Sequence, residues 1–572
     1  MLEKLLSIQD LTINFISDNS VTTAVQHISF DVHKGEIVAV VGESGSGKSV
    51  TALAVLQLLP SPPAQYASGE IIFSNKGKPC DLLTVSKDEL QQLRGNAIAM
   101  VFQEPMTSLN PVHSCGKQVA EAILTHSDMS KEAAFKKTIT LFEDVKLPNP
   151  QKMFHKHPHE ISGGQKQRVM IAMAMSCNPQ LLICDEPTTA LDVTVQKNIL
   201  GLIRNLQQAH EMGVIFISHD LALVSEIADK VVVMYKGQIV EQGTTTAVLA
   251  SPQHPYTKAL LACRPALHQK GQRLPVLSDF INDTARPMTT IVTEKQTGTD
   301  DNNRTEKIIS VNELSVWYPS KKNLFGKTLD YQKAVNNVSF DIYKGETLGL
   351  VGESGCGKTT LGRTLLGLVP PTKGDIRFNG KNMATATRHE TIAMRRQMQI
   401  IFQDPYSSLN PNKKIGDAIA EPLKVHGIIS NAAQRRDKVV ELLEKVKLTA
   451  DHYHRYPHEF SGGQRQRIVI ARALALQPSF VVCDESVSAL DVSVQAQVLN
   501  LLNDLKKDFQ FTALFISHDL SVIRYISDRI MVMHKGMIVE AGNSEDVYTH
   551  PKTAYTKELI AAIPGKAFGS TL

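Results

Sequence analysis

The sequence predicts an α/β protein made of two tandem copies of one domain. The prediction rests on short apolar runs that end in glycine or acidic loops, helical patterns that follow them, and a chain that repeats itself. Ile37–Val41 (IVAVV) and Thr347–Val351 (TLGLV) are unbroken apolar runs that stop at glycine loops, as strands buried in a parallel sheet do. Leu181–Cys184 and Phe480–Cys483 end in Asp-Glu, while Val214–Ile217 and Ala513–Ile516 end in Ser-His-Asp. Helical patterns follow, as in Thr51–Leu59 and Val195–Gln208. Strands alternating with helices put a ligand at the carboxyl ends of the strands. Gln118–Leu147 and Ile415–Leu448 read as helical without strands between, so a helical subdomain is expected inside each copy.

The repeat is direct. GESGSGKS (Gly42–Ser49) returns as GESGCGKT (Gly352–Thr359), FQEP from Phe102 as FQDP from Phe402, and FISHDL from Phe216 as FISHDL from Phe515. Ser162–Gln196 and Ser461–Gln495 share 19 of 35 positions, too many for chance, at an offset of 299 residues. A period near 300 is too long for a solenoid, so the unit repeated is a whole domain. The offset is 310 at Lys48 and Lys358 but 300 at Gln103 and Gln403, so the first copy carries about ten extra residues. A longer surface loop around Ser61–Asp88 is the expected place for them. The expected organisation is a first domain over 1–265, a polar linker over 266–305 and a second domain over 306–572. Within the linker, His268–Arg304 reads as a flexible coil spanning roughly 35 Å.

Composition narrows the class. With 42% apolar and 21% charged residues in 572, the chain is neither disordered nor fibrous. A net charge of +4 spread over so long a chain is too weak to argue for a nucleic-acid partner, and none is expected. The seven cysteines are odd in number and never spaced C-x-x-C, which excludes a disulfide framework or a zinc ribbon. No apolar run reaches the 18 or so residues of a membrane span, and Met1–Asp10 has no signal-peptide core. A soluble protein of a reducing compartment is expected.

The motif G-x-x-x-x-G-K-[ST] between a strand and a helix points to a phosphate cradle. Its glycines let backbone N–H groups curl around an anion, and the helix start adds its positive dipole end. Lys48 and Lys358 would bridge the β- and γ-phosphates of a nucleotide, with Ser49 and Thr359 on Mg²⁺. Asp185 and Asp484 end strands where an acid reaches the metal shell. Glu186 and Glu485 follow, placed to take a proton from an attacking water. Gln103 and Gln403 can touch metal and water, and His219 and His518, each 33 residues after its glutamate, can donate to the γ-phosphate. S-G-G-Q (Ser162, Gly163, Gly164, Gln165; Ser461, Gly462, Gly463, Gln464) makes a second anion-binding helix start. Cys356 lies beside a helix start, which is expected to lower its thiol pKa and make it sensitive to alkylation. His155, His157 and His159, and the irregularly spaced His452, His454 and His458, all precede the S-G-G-Q segments and read as ordinary residues, not a metal site.

The order of these motifs, together with ALD (Ala190–Asp192; Ala489–Asp491), resembles the ATP-binding-cassette ATPases over nearly all of both copies. The resemblance implies two tandem P-loop NTPase domains, each a RecA-like core with an inserted helical subdomain and a small antiparallel β lobe. It also implies ATP and Mg²⁺ as cofactors. Cassettes of that family pack head to tail, so Lys48 would share a nucleotide with Ser461 and Gly463, and Lys358 with Ser162 and Gly164. The family pattern further places the nucleotide against Gly42, Glu43, Ser44, Gly45, Ser46 and Gly47, against Gly352, Glu353, Ser354, Gly355, Cys356 and Gly357, and near Asp192 and Asp491. Its adenine-stacking aromatic corresponds to Phe15 and Tyr318.

HPYTKALL (His254–Leu261), PHEFSGGQRQRIVIARAL (Pro457–Leu474) and YTKELI (Tyr555–Ile560) are similar to the two ATPases of dipeptide/oligopeptide importers, here fused. The implied function is an ATP-hydrolysing import motor for peptides or peptide-like solutes, peripheral on the cytoplasmic face of a bacterial inner membrane. Its implied partners are two permease subunits and a periplasmic or lipid-anchored solute-binding protein. Only Cys263 remains of the cysteine-rich extension many relatives carry, so no iron–sulfur cluster is expected. A tandem-cassette translation factor would carry a long charged helical linker instead of this short polar one. The tandem ATPase of a sugar importer often has one degenerate site, whereas both copies here are complete.

Overall fold

The apolar runs form two sheets in each half of the chain. The structure, a computed structural model, describes residues 3–17, 20–104, 108–189, 191–281, 306–322 and 328–565. By packing it falls into two units, Met1–Leu261 and Ala262–Ile563, with Pro564 and Gly565 in the first.

The first unit runs β1 (Lys4–Ser17), β2 (Ser20–His33), β3 (Ile37–Val41), β4 (Ala64–Asn75), β5 (Lys78–Asp81), β6 (Ile98–Val101), β7 (Leu181–Asp185), β8 (Gly213–Ser218), β9 (Lys230–Tyr235) and β10 (Gln238–Thr244). Its main sheet has the order β10-β9-β3-β8-β7-β6, parallel except for β10. Every residue of β3, β7 and β8 is buried, which is why these runs are apolar throughout and do not alternate. Helices Lys48–Val55, Val193–His210 and Leu221–Ile227 follow β3, β7 and β8. Since β3, β8, β7 and β6 are successive neighbours, their carboxyl ends share one edge, and the loops carrying Lys48, His219, Glu186 and Gln103 meet there. A second, antiparallel sheet has the order β2-β1-β4-β5. The expected helical insertion is Cys115–His126, Lys131–Asp144 and Pro150–His155.

The second unit repeats this plan. β11 (Lys307–Lys322), β12 (Thr328–Tyr343), β14 (Lys373–Phe378) and β15 (Lys381–Asn382) form the small antiparallel sheet. β13 (Thr347–Val351), β16 (Met398–Ile401), β17 (Phe480–Asp484), β18 (Thr512–Ser517), β19 (Arg529–His534) and β20 (Met537–Asn543) form the main one. Its inserted helices are Ile415–Val425 and Ala432–Lys445.

Two expectations change. The extra residues of the first copy are largely not a loop. β4 starts at Ala64 and pairs with β1 as far as Phe15, whereas β14 starts at Lys373 and pairs with β11 only to Ser315. Added chain beside an open strand gains ladder hydrogen bonds, so it extends the sheet.

The expected free coil of the linker also fails over its described part. Ala262–Ile281 packs on the second unit, with Cys263 and Leu274 buried in that unit's core. Leu274 N–H donates to Asn500 Oδ1 at 3.0 Å, and Asn500 Nδ2 donates to Leu274 O at 2.8 Å. Tyr525 Oη donates to Gln272 O at 2.7 Å, and Lys270 pairs with Asp528. A polar stretch docks here because side chains of the cassette satisfy its backbone, which a reading of hydrophobic periodicity does not register. At the offset of 299 the first copy has Gly201 and Glu226 where the second has Asn500 and Tyr525. The remainder of the linker, 282–305, lies outside the described residues.

Candidate functional site

Each cradle begins where its buried strand stops. Gly47 and Gly357 cap the following helices at φ 101° and 111°. A Cβ there would lie 2.7 Å from Ala24 O in the first unit and 2.0 Å from Ala334 O in the second, so glycine is required on both counts. Lys48 Nζ donates to Gly42 O at 2.8 Å and Glu43 O at 2.9 Å; Lys358 Nζ donates to Gly352 O at 2.7 Å and Glu353 O at 2.8 Å. The lysines are buried, curled over their own loops.

Next to each lysine a hydroxyl meets a carboxylate. Ser49 Oγ donates to Asp185 Oδ1 at 3.0 Å, and Thr359 Oγ1 to Asp484 Oδ1 at 2.9 Å. Burial pushes both aspartates above the ordinary carboxylate value, and the hydroxyl bonds oppose it only in part. A buried carboxylate and hydroxyl of this kind are the hard oxygen donors that Mg²⁺ takes, and a cation there would relieve the burial cost.

The glutamates are hubs. Glu186 Oε2 accepts from Gln103 Nε2 at 3.0 Å and Thr189 Oγ1 at 2.9 Å, and lies 3.3 Å from His219 Nδ1. Burial would raise this carboxyl. The His219 bond and charge, the Lys48 charge and the Thr189 bond outweigh it and hold the pKa at about 2. Glu485 accepts from Gln403 Nε2 at 2.9 Å and lies 3.4 Å from His518 Nδ1. Ser488 gives its hydroxyl to the Glu485 carbonyl instead of the carboxylate, and the Glu485 carboxyl is likewise lowered against burial by His518 and Lys358. Both glutamates sit at positive φ, 45° and 47°, with their N–H groups tied to Ile217 O and Ile516 O. Non-glycine residues adopt that conformation at a cost, and it recurs in both copies here as it does at equivalent turns such as Lys146 and Lys447. Together these groups can seat a triphosphate and hold an ionised base beside it.

Other expected residues take varied places. Ser162 and Ser461 cap helices Gly163–Ala174 and Gly462–Leu474 through reciprocal bonds with Gln165 and Gln464. A Cβ on Gly164 or Gly463 would lie 2.8 or 2.3 Å from Val195 or Val494, whereas Gly462 faces open space. Asp192 caps helix Val193–His210 by accepting from Val195 N–H at 2.9 Å; Asp491 occupies the equivalent cap without that bond. Phe15 packs on the first unit's core, while Tyr318 stands 41% exposed on β11. The lowered pKa expected of Cys356 is not found: the residue is 7% exposed, and burial raises its pKa more than Lys358 and the backbone lower it. Thr189 was not foreseen from the sequence; a hydroxyl residue three places past the glutamate in both copies, Thr189 and Ser488, is the signal that could have found it.

Known proteins show what this chain is similar to. The ABC transporter family matches residues 25–189 and 335–488, and the oligopeptide/dipeptide transporter C-terminal region matches 240–286 and 539–570. The glutathione import ATP-binding proteins GsiA of Shigella sonnei (strain Ss046) and Escherichia coli (strain K12) are each 47% identical over 567 residues, covering 98% of this chain and 89% of theirs. Among solved structures, cbiO1 from Clostridium perfringens, part of the ABC transporter complex cbiONQ, aligns with 43% of this chain and 92% of its own at 24% identity and a TM-score of 0.37.

Proposed function

Because this chain belongs to the ATP-binding-cassette ATPases of ABC transporters, within the oligopeptide/dipeptide import group, we propose that it is the ATP-hydrolysing subunit of an importer for peptides or peptide-like solutes. The observation that carries this reading is the doubled constellation of lysine, hydroxyl–aspartate pair and glutamate–glutamine–histidine hub in a chain 47% identical to glutathione import ATPases. Glutathione is a tripeptide and so the first cargo to test.

In this reading the loops Gly42–Ser49 and Gly352–Thr359 hold the phosphates through backbone N–H groups, with Lys48 and Lys358 neutralising their charge. Glu186 and Glu485, ionised at any working pH, orient an attacking water and receive its proton, while Gln103, Gln403, His219 and His518 hold the glutamates in place. Mg²⁺, when bound, would be held by Ser49, Asp185 and Gln103, or by Thr359, Asp484 and Gln403, and would stabilise charge developing on the phosphates. The helix starts at Ser162 and Ser461 supply the second phosphate contact in the crosswise pairing that the family resemblance implies. Asp192 and Asp491 lie beside them, and Phe15 and Tyr318 take the base.

No helix among the described residues is long and apolar enough to cross a membrane, so the cargo path belongs to partners. Exposed Phe102, Val112, Phe402 and Tyr406 beside the glutamine loops suit docking of two inner-membrane permease subunits, with a solute-binding protein outside. In this reading the chain sits at the cytoplasmic face of the inner membrane. We divide it into cassettes over 1–265 and 306–572 joined by a linker over 266–305, the described part of which packs with the second cassette, as does the end of the first from Ala262.

Purified chain should hydrolyse ATP, and Glu186→Gln or Glu485→Gln alone should each cut the rate by more than half, the pair abolishing it. A single variant with full activity would show that site to be silent. Cells lacking the chain should fail to take up labelled glutathione or small peptides; unchanged uptake of every peptide tested sinks the cargo class.

A further inference from the structure

We propose that Tyr256 and Tyr555 are positioning residues for the phosphate-binding lysines, acting through one peptide plane of each glycine loop. Tyr256 Oη accepts the Glu43 N–H at 2.8 Å from 213 residues away in sequence, and Tyr555 Oη accepts the Glu353 N–H at 3.0 Å from 202 residues away. The peptide that carries the Glu43 N–H also carries the Gly42 carbonyl, which accepts Lys48 Nζ at 2.8 Å; the peptide of Glu353 carries the Gly352 carbonyl, which accepts Lys358 Nζ at 2.7 Å. Because a peptide unit is planar, fixing its N–H fixes the direction of its carbonyl, and so the acceptor that holds the lysine. The ammonium at one end also polarises the unit and strengthens the donor at the other.

The tyrosines are themselves held rigidly, in the same way twice. Glu241 on β10 accepts the N–H groups of Gln253 and His254 at 2.8 and 3.1 Å, which seats helix Pro255–Ala262. Glu540 on β20 accepts those of Lys552 and Thr553 at 2.8 and 3.1 Å, which seats helix Ala554–Ala561. The Tyr256 ring lies 4.3 Å from Tyr235 and the Tyr555 ring 4.0 Å from His534, residues that end β9 and β19. The backbone of those strands closes the other side of the loop: a Cβ on Gly42 would lie 2.2 Å from Met234 O, and one on Gly352 2.1 Å from Met533 O. Each loop is gripped between a strand and a tyrosine that arrives from the far end of the domain. Both tyrosines fall within the stretches matched as the oligopeptide/dipeptide transporter C-terminal region, which thereby gains a task at the nucleotide site.

The proposal rests on the glycine loops binding nucleotide. A loop already held in shape binds phosphate without reorganising, so loss of the hydroxyl weakens binding and spares the chemical step, whose groups hang on other strands. The test is titration with a fluorescent ATP analogue on a Lys358→Ala background, which isolates the Lys48 site. Tyr256→Phe keeps the ring and should raise the dissociation constant about three- to tenfold, the worth of one neutral hydrogen bond. Tyr555→Phe on a Lys48→Ala background should do the same at the other site. In the otherwise unchanged chain each variant should raise KM for ATP with kcat within about twofold. Leu260→Val, a small cavity in the same helix as Tyr256, should lower the melting temperature and leave ATP affinity alone. Unchanged affinity in Tyr256→Phe, or an equal loss in Leu260→Val, would overturn the proposal. If Lys48→Ala itself binds the analogue normally on the Lys358→Ala background, it is the nucleotide-site reading that fails.

Discussion

At the scale of the residue, the telling feature is Glu186: buried, at positive φ, and held far below the ordinary carboxylate range. Its ordinary pKa of 4.5 drops to about 2 in the folded chain. The stability conferred by its ionisation is therefore complete above about pH 4.5 and is lost as the pH falls toward 2. Denaturation midpoints measured across that window should fall more steeply for the parent than for Glu186→Gln, which has no proton to take up. Parallel curves would mean that the His219 and Thr189 contacts do not hold the carboxylate. The pairing of an acid with a strand end was legible in DE at Asp185–Glu186; the hydroxyl of Thr189 on the same carboxylate was not, since its direction depends on how the loop turns.

At the scale of the element, the helices Gly163–Ala174 and Gly462–Leu474 separate two uses of glycine. Gly463 is pressed against Val494, so Gly463→Ala should cost about 1–3 kcal/mol through overpacking. Gly462 has nothing within 4 Å of its would-be Cβ, so Gly462→Ala should cost no stability while lowering ATPase activity, if ligand approaches there. Thermal melts and turnover measured on the same two variants check both; a Gly462→Ala chain with full turnover would remove that glycine from the site. Sequence pattern located these helix starts because Ser-Gly-Gly-Gln is a local capping signal. It misjudged the extra residues before Asp88, since strand extension depends on an exposed neighbour, β1, far away in sequence.

At the scale of the whole molecule, the two copies share a plan but not a surface. Asn500 pairs with both backbone groups of Leu274 and is almost fully buried, and no equivalent exists at Gly201. Asn500→Ala strands those groups and should cost about 1–3 kcal/mol. Limited proteolysis should then cut at Gly271–Leu274, where the parent resists. Equal resistance in both would show that the stretch is held by Lys270 and Tyr525 alone.

The sequence by itself determined the duplication, the α/β class, the inserted helices and nearly every charged or hydroxyl group of the two sites. These are local signals: apolar runs, glycine loops and caps act over a few residues and survive in any context that buries them. What only the tertiary structure decided were the long-range bonds. The grip of Tyr256 on Glu43, the docking of Leu274 on Asn500 and the burial that raises the pKa of Cys356 each depend on groups that no periodicity links. Such bonds exist because folding leaves buried backbone groups that must find a partner, and the nearest partner in space need not be near in sequence.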